Sequence, residues 1–251
     1  MDITTTLALG AAGLCAGFID AIAGGGGLIS LPALLWAGLP PHRALGTNKL
    51  QSAVGTSMAV HRYHAANLID WKSISVAVAA TAIAAALGTL AVLWVDNRAL
   101  RFIVPWLLLA VAIHVLRRPA LAAVPTEPRL SANRFGAVAG SVLGFYDGFF
   151  GPGAGAFWTA ACVHLRGMSL PHAIAFTKVV NLTSNLAALL VFSAWGQVDA
   201  EAAVAMIAGQ AIGGRLGAGL AVKHGAPFIR IVFAGVVFSL VARLFWQAMS
   251  G

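Results

Sequence analysis

Charge is scarce in this chain: Asp, Glu, Lys and Arg make up only 10% of its residues, and eight residues in all are acidic. A soluble domain carries about a quarter charged residues. With 59% apolar residues and a mean hydropathy of +0.86, too little polar surface remains to face water on all sides. The solvent is therefore a bilayer. Cysteine is nearly absent as well. Cys15 and Cys162 both fall inside apolar stretches with no His or Cys at metal-ligand spacing. A disulfide framework and a metal site are excluded, and both read as small core residues. HExxH and GxSxG are missing, and no glycine loop runs into Lys-Ser/Thr, which removes the usual zinc, nucleophile-elbow and phosphate-loop chemistries. No nucleophile, base and orienting group stand at credible spacing, so an enzyme is not expected and neither is a cofactor. The net charge of +8 would suggest nucleic acid in a soluble protein. Here the basic residues are scattered at segment ends, the pattern of positive loops facing the cytoplasm. The start of the chain holds Asp2 and no Lys or Arg before a long apolar run. A cleaved signal peptide is not expected, and the first segment stays in the membrane.

What is present occurs twice. Gly17, Phe18, Asp20, Gly24 and Gly26 recur as Gly144, Phe145, Asp147, Gly151 and Gly153, each 127 positions later. Ala44, Lys49, Asp70, Gly88 and Arg101 recur as Ala173, Lys178, Asp199, Gly217 and Arg230, now 129 apart. The chain reads as a duplicated unit: a first transmembrane repeat over 1–116, a basic, proline-containing linker over 117–133, and a second repeat over 134–251. A carboxylate, a glycine cluster and a lysine kept in both halves of so apolar a chain mark a shared polar centre, as in transporters built from repeats.

A span needs roughly 20 apolar residues to cross a core of about 30 Å. Ser73–Val95, Ala99–Leu116, Ala202–Val222 and Ala226–Ala248 qualify as plain scaffold helices. The front of each half differs. Thr4–Ala23 runs into Gly24-Gly25-Gly26-Gly27, and only the short Leu28–Leu39 follows before Pro40-Pro41. Phe135–Phe150 breaks at Gly151-Pro152-Gly153, ahead of the short Ala156–Leu165. After each short piece comes a helix with a polar head, Thr47–Ala66 and Thr177–Ala194. The expected fold is all-α, a polytopic bundle of two homologous repeats with about eight full helices and two half-length segments at the glycine breaks. A basic linker facing the cytoplasm, with Arg-free and Lys-free loops at the N-terminus and around Asp199 and Glu201 outside, makes the repeats inverted. A strict four-helix unit makes them parallel.

Asp20 and Asp147 lie in apolar stretches, where an aspartate at the bilayer centre costs about 2.5–3.5 kcal/mol. Each carboxylate could cap N–H groups at the glycine break, pair with Lys49 or Lys178, or carry a proton during transport; the fixed counter-charge is the commoner use. Lys49 and Lys178 open their polar-headed helices, so a lysine, the hydroxyls of Thr47 and Thr177 and helix N-terminal N–H groups would converge, which is a recipe for holding an oxyanion. A single lysine near a helix end would only snorkel. Thr177, Lys178, Asn181, Ser184 and Asn185 share one helical face, as a polar path or as interhelical packing glue. His61 and His64 read as interfacial anchors. Arg215, inside a long apolar run and matched by Ala86 in the first half, reads as a buried partner for an acid or the substrate.

Four motifs carry a family resemblance: GFIDAIAGGGGLISLPALL, GLPPHRALGTNKLQ, GFYDGFFGPGAGAFW and FTKVVNLTSNLAALL. With them the chain resembles the TauE/SafE family of membrane exporters, in particular its YfcA-like members. That resemblance implies a bacterial inner-membrane permease of about eight helices, associated with export of sulfite or organosulfur anions. The matching positions are Asp20, Gly24, Gly25, Gly26, Gly27, Thr47, Asn48, Lys49, Asp147, Gly151, Gly153, Thr177, Lys178 and Asn181. Gly155 and Asn185 complete the expected substrate site, and Asp20 and Asp147 are expected to organise the breaks or couple protons. In the second half the glycine run becomes Gly151-Pro152-Gly153-Ala154-Gly155, so the two half-sites are not chemically equivalent. The expected partners are a small anionic substrate and the bilayer, with a homo-oligomer left open and no nucleic acid.

Overall fold

The computed structural model describes residues 1–117 and 125–224. Among these residues there are helices and no strands. They are α1 (Ile3–Ala23), α2 (Gly27–Trp36), α3 (Pro41–Ala65), α4 (Trp71–Leu93), α5 (Asn97–Arg117), α6 (Ala132–Phe149), α7 (Ala154–Arg166), α8 (Leu170–Ala194) and α9 (Ala200–His224). Four of them, α1, α4, α8 and α9, are long and apolar enough to cross a membrane. The expected helix over Ala226–Ala248 lies outside the described residues, as does part of the linker.

Local chemistry explains the boundaries. Asp2 caps α1 by accepting from the Thr5 N–H at 3.1 Å, and Asp70 caps α4 by accepting from the Lys72 N–H at 3.1 Å. The structure corrects two starting points. α3 begins at Pro41 and α8 at Leu170, not at Thr47 and Thr177. Proline in the first turn loses an N–H that has no helical acceptor anyway and brings a helical φ, so Pro41 and Pro171 start these helices rather than ending the preceding turn. Lys49 and Lys178 therefore sit two turns inside their helices.

Packing clusters define two faces. Leu34, Leu45, Val92, Leu100 and Phe192 pack together at one end, joining the start of α3 to the end of α8. Tyr63, Ile74, Phe135 and Leu170 pack at the other, joining the end of α3 to the starts of α4, α6 and α8. The aromatic rings of Phe135, Trp158 and Phe176 meet there with centroids about 6 Å apart. α3 and α8 are thus antiparallel neighbours. The segment before α6 lies on this second face, where the Arg166 guanidinium donates to the Leu130 carbonyl at 2.6 Å.

Helix pairs close through glycine. A Cβ on Gly13 or Gly217 would meet the Met206 or Phe18 carbonyl at 2.5 or 2.4 Å, which locks α1 on α9. A Cβ on Gly88 or Gly148 would meet the Phe145 or Ala85 carbonyl at 2.2 or 2.0 Å, which locks α4 on α6. In lipid, where apolar burial between helices gains little, close backbone approach of this kind holds helices together. Each seam joins a helix of the first half to one of the second. Cys162 is buried as expected, whereas Cys15 is exposed on α1.

Candidate functional site

Both long entry helices stop in the middle of the bundle. α1 ends at Gly24, whose φ of +72° and N–H to the Asp20 carbonyl at 2.9 Å make a left-handed cap. α6 ends at Phe150, and Gly151 follows with φ +95°. A helix ending away from water leaves carbonyls without partners and a partial negative charge. A lysine of the other half answers each one. The Lys49 ammonium donates to the Asp147 carbonyl at 2.5 Å and to its carboxylate at 2.7 Å. The Lys178 ammonium donates to the Asp20 carbonyl and, at 2.9 Å, to its carboxylate. The pairs cross between halves: the first lysine holds the second aspartate, and the second lysine holds the first.

Burial makes these contacts energetically heavy. Lys49 is 1% exposed, Lys178 0% and Asp147 4%, while the Asp20 side chain is 19% exposed. The second Asp147 oxygen accepts from the Ser184 hydroxyl, and Asp20 accepts from Thr56 at 3.5 Å. Two lysines and two aspartates sum to zero charge, which is how four ionisable groups are tolerated in so apolar a core.

The two glycine breaks touch. A Cβ on Gly24 would lie 2.5 Å from Gly155, and one on Gly27 would lie 3.1 Å from Pro152. Beside this contact is a cavity of about 30 Å³. It is lined by Gly24, Gly27, Asn48, Lys49, Gly151, Gly153, Gly155, Asn181 and Asn185, together with Asp20 and Asp147. Gly25, Gly26, Thr47, Thr177 and Lys178 do not line it. Thr47 instead accepts from the Asp199 N–H at 2.9 Å, Thr177 meets the Thr159 hydroxyl at 3.2 Å, and Lys178 stands behind Asp20. Ser52 and Ala154 line the cavity without having been expected there. Ser52 stands 129 positions before Asn181, so the repeat offset itself was the signal for it.

The helix N-termini at the cavity also differ from expectation. They belong to α2 and α7, whose first residues include Gly27, Ala154 and Gly155, and not to the helices that carry the lysines. The Asn48 side-chain oxygen accepts from Ser30 at 2.5 Å and Gln51 at 2.7 Å, whereas the buried Asn181 side-chain oxygen has no hydrogen-bond partner. The cavity has room for water and little else. Outside it, His64 accepts from the Trp71 indole at 3.2 Å on the exposed end of α3. Arg215, read from its apolar surroundings as buried, is exposed on α9.

The family described as Sulfite exporter TauE/SafE matches residues 9–244. A Haemophilus influenzae protein named "Probable membrane transporter protein" is 42% identical over 238 residues, covering 94% of this chain and 92% of the relative. The Escherichia coli K12 protein named "Probable membrane transporter protein YfcA" is 37% identical over 235 residues, covering 94% and 87%. A Sinorhizobium relative named "Probable membrane transporter protein ORF9" is 37% identical over 233 residues, covering 93% and 89%. No solved structure matches the chain. The chain belongs to the TauE/SafE family of membrane transporters.

Proposed function

We propose that this member of the TauE/SafE family is a secondary transporter for a small anion, sulfite or an organosulfur or carboxylate anion, working by alternating access at the crossed lysine–aspartate centre. The observation that carries the reading is the meeting of both glycine breaks, both short-helix N-termini and Lys49 at one buried polar cavity. N-terminal N–H groups and an ammonium favour an anion there. The centre is already neutral, however, so the anion has to take the place of a carboxylate on Lys49. The Asn181 amide nitrogen, which lies beside Gly155, and the Ser52 hydroxyl supply further donors to an oxyanion. A volume of about 30 Å³ is too small for sulfite, so the halves have to part to admit it.

The helix positions support a duplicated, inverted unit. α2 and α7 begin 127 residues apart, and α3 and α8 span 41–65 and 170–194, offset by 129 at both ends. The Ser30–Asn48 contact recurs at that offset as Thr159–Thr177. With α3 and α8 antiparallel, the two halves run in opposite directions through the membrane, the arrangement that lets one site open to either side. Arg62, Lys72, Arg129, Arg134 and Arg166 lie at the face bearing the described linker residues. The opposite face carries fewer cations, Arg43, Arg98 and Arg101, beside Asp2, Asp96, Asp199 and Glu201. The first face is then cytoplasmic and the protein a multi-pass component of the bacterial inner membrane.

The test uses residues outside the ion pairs. In proteoliposomes, Ser52→Ala and Asn181→Ala are expected to lower sulfite flux about tenfold, the loss of one hydrogen bond to a charged group, with thermal stability near wild type. The paired charges and small cavity would equally suit a membrane scaffold that transports nothing. In that case wild-type vesicles show no sulfite or sulfonate flux and neither anion raises the melting temperature, which refutes the transporter reading. Flux that is equal with and without a pH gradient removes proton coupling through Asp20 or Asp147.

A further inference from the structure

Three basic side chains share a second pocket, away from the crossed pairs. It opens between the end of α3 and the last turns of α9, has a volume of about 500 Å³, and is lined by Arg62, Arg215 and Lys223 with Leu216, Leu220 and Val222. All three basic residues are exposed. Among the described residues no carboxylate lies within ion-pairing distance of any of them. Arg62 lies across α9, its guanidinium 3.6 Å from where a Cβ on Gly219 would stand.

Arg215 is the telling residue. It stands eight positions before Lys223 on a helix apolar enough to span a membrane, which at about 1.5 Å per residue places its Cα roughly 12 Å deeper. An arginine on a lipid-facing surface at that depth is unfavourable unless its head reaches polar groups, and its long stem can carry the head along the helix toward the interface. Doing so here brings it toward two further cations, which repel it. The deficit is one of anionic charge. The pocket walls are mixed, with the cationic side chains interleaved with Leu216 and Leu220 along α9. A phosphodiester attached to acyl chains matches both parts: guanidinium donors bind phosphate oxygens in pairs, and Leu216 and Leu220 lie beside a chain.

We propose that this pocket binds the phosphate headgroup of an anionic phospholipid, held by Arg62, Arg215 and Lys223, with an acyl chain along α9. Juxtamembrane basic residues attract such lipids, and here they are gathered into a concave site instead of being spread over loops. The inference is independent of what the central cavity carries.

Thermal unfolding of the full chain in neutral detergent, with matched concentrations of phosphatidylglycerol, phosphatidylcholine or inorganic phosphate, tests it. Phosphatidylglycerol is expected to raise the melting temperature by about 3–5 °C, as a ligand binding only the folded state does. Phosphatidylcholine and inorganic phosphate should each move it by less than about 1 °C. Arg215→Gln should cut the phosphatidylglycerol shift by at least half and leave the lipid-free melting temperature nearly unchanged. Where that variant does not fold, Arg62→Gln, at the exposed end of α3, reads the same quantity. An undiminished phosphatidylglycerol shift in the folded variants overturns the proposal. So does a shift of the same size with inorganic phosphate, which would make the ligand a free anion, or an equal shift with phosphatidylcholine, which would make it a solvation effect of lipid in general.

Discussion

Lys49→Met is expected to cost about 3–5 kcal/mol of stability, because it leaves the Asp147 carboxylate buried without its cation. Asp147 is 4% exposed and its remaining hydroxyl partner, Ser184, cannot neutralise it. The double variant Lys49→Met/Asp147→Leu removes both charges and should recover most of that loss, since two apolar side chains of similar volume replace a pair whose desolvation offsets much of its attraction. Denaturant unfolding of the wild type, both single variants and the double variant in detergent measures the cycle. Transport should not recover with stability. If Lys49 is the cation that a substrate anion engages, the double variant is folded and inactive, and the two roles of the residue separate in one experiment. Lys178→Met should be milder, because the Asp20 carboxylate is 19% exposed and borders the polar cavity, so water can solvate it once its lysine is gone. Equal losses for the two lysine variants would mean that burial does not set the cost.

The residues of this centre were legible in the sequence, and their pairing was not. A carboxylate in an apolar stretch demands compensation, and two lysines were available. Asp20 and Lys49 of one half are as plausible a pair, by composition, as Asp20 and Lys178. Only the exchange of helices between halves decides it, and that exchange rests on backbone contacts such as Gly217 on Phe18 and Gly148 on Ala85, between residues far apart in the chain. Thr47 shows a different kind of loss. Taken as the first residue of a helix, it would offer its hydroxyl beside Lys49. In a helix that began at Pro41, two residues turn the side chain by about 200°, so Thr47 faces Asp199 while Lys49 faces the cavity. The same geometry brings forward Ser52, one turn beyond Lys49 on the same face. A single boundary error thus exchanged one site residue for another. Arg215 was misplaced because an apolar run does not tell a lipid-facing position from a protein-facing one; both are apolar in a membrane.

The contact between the two breaks leads to the second large effect. Gly24→Ala introduces two faults at once. Its φ of +72° lies in the left-handed region, where an L side chain costs about 1–2 kcal/mol, and the new methyl would stand 2.5 Å from backbone atoms of Gly155. Gly38 separates the faults. It has φ +89° at the end of α2, yet a Cβ there meets nothing within 4 Å. Gly38→Ala should therefore show the conformational cost alone, and Gly24→Ala that cost plus about 1–3 kcal/mol for overpacking. The excess comes from backbone pressing on backbone, which no rotamer change can relieve, so the breaks have to move apart. That displacement widens the gap between the α2 and α7 N-termini and shifts Gly155 relative to the Asn181 amide beside it. Flux in Gly24→Ala should fall by at least an order of magnitude, as a misplacement of about 1 Å in a preorganised site can do. Gly38→Ala should transport at a wild-type rate. Were Gly24→Ala no less stable and no less active than Gly38→Ala, the touching breaks would be a passive crossing of loops and not the hinge of the site.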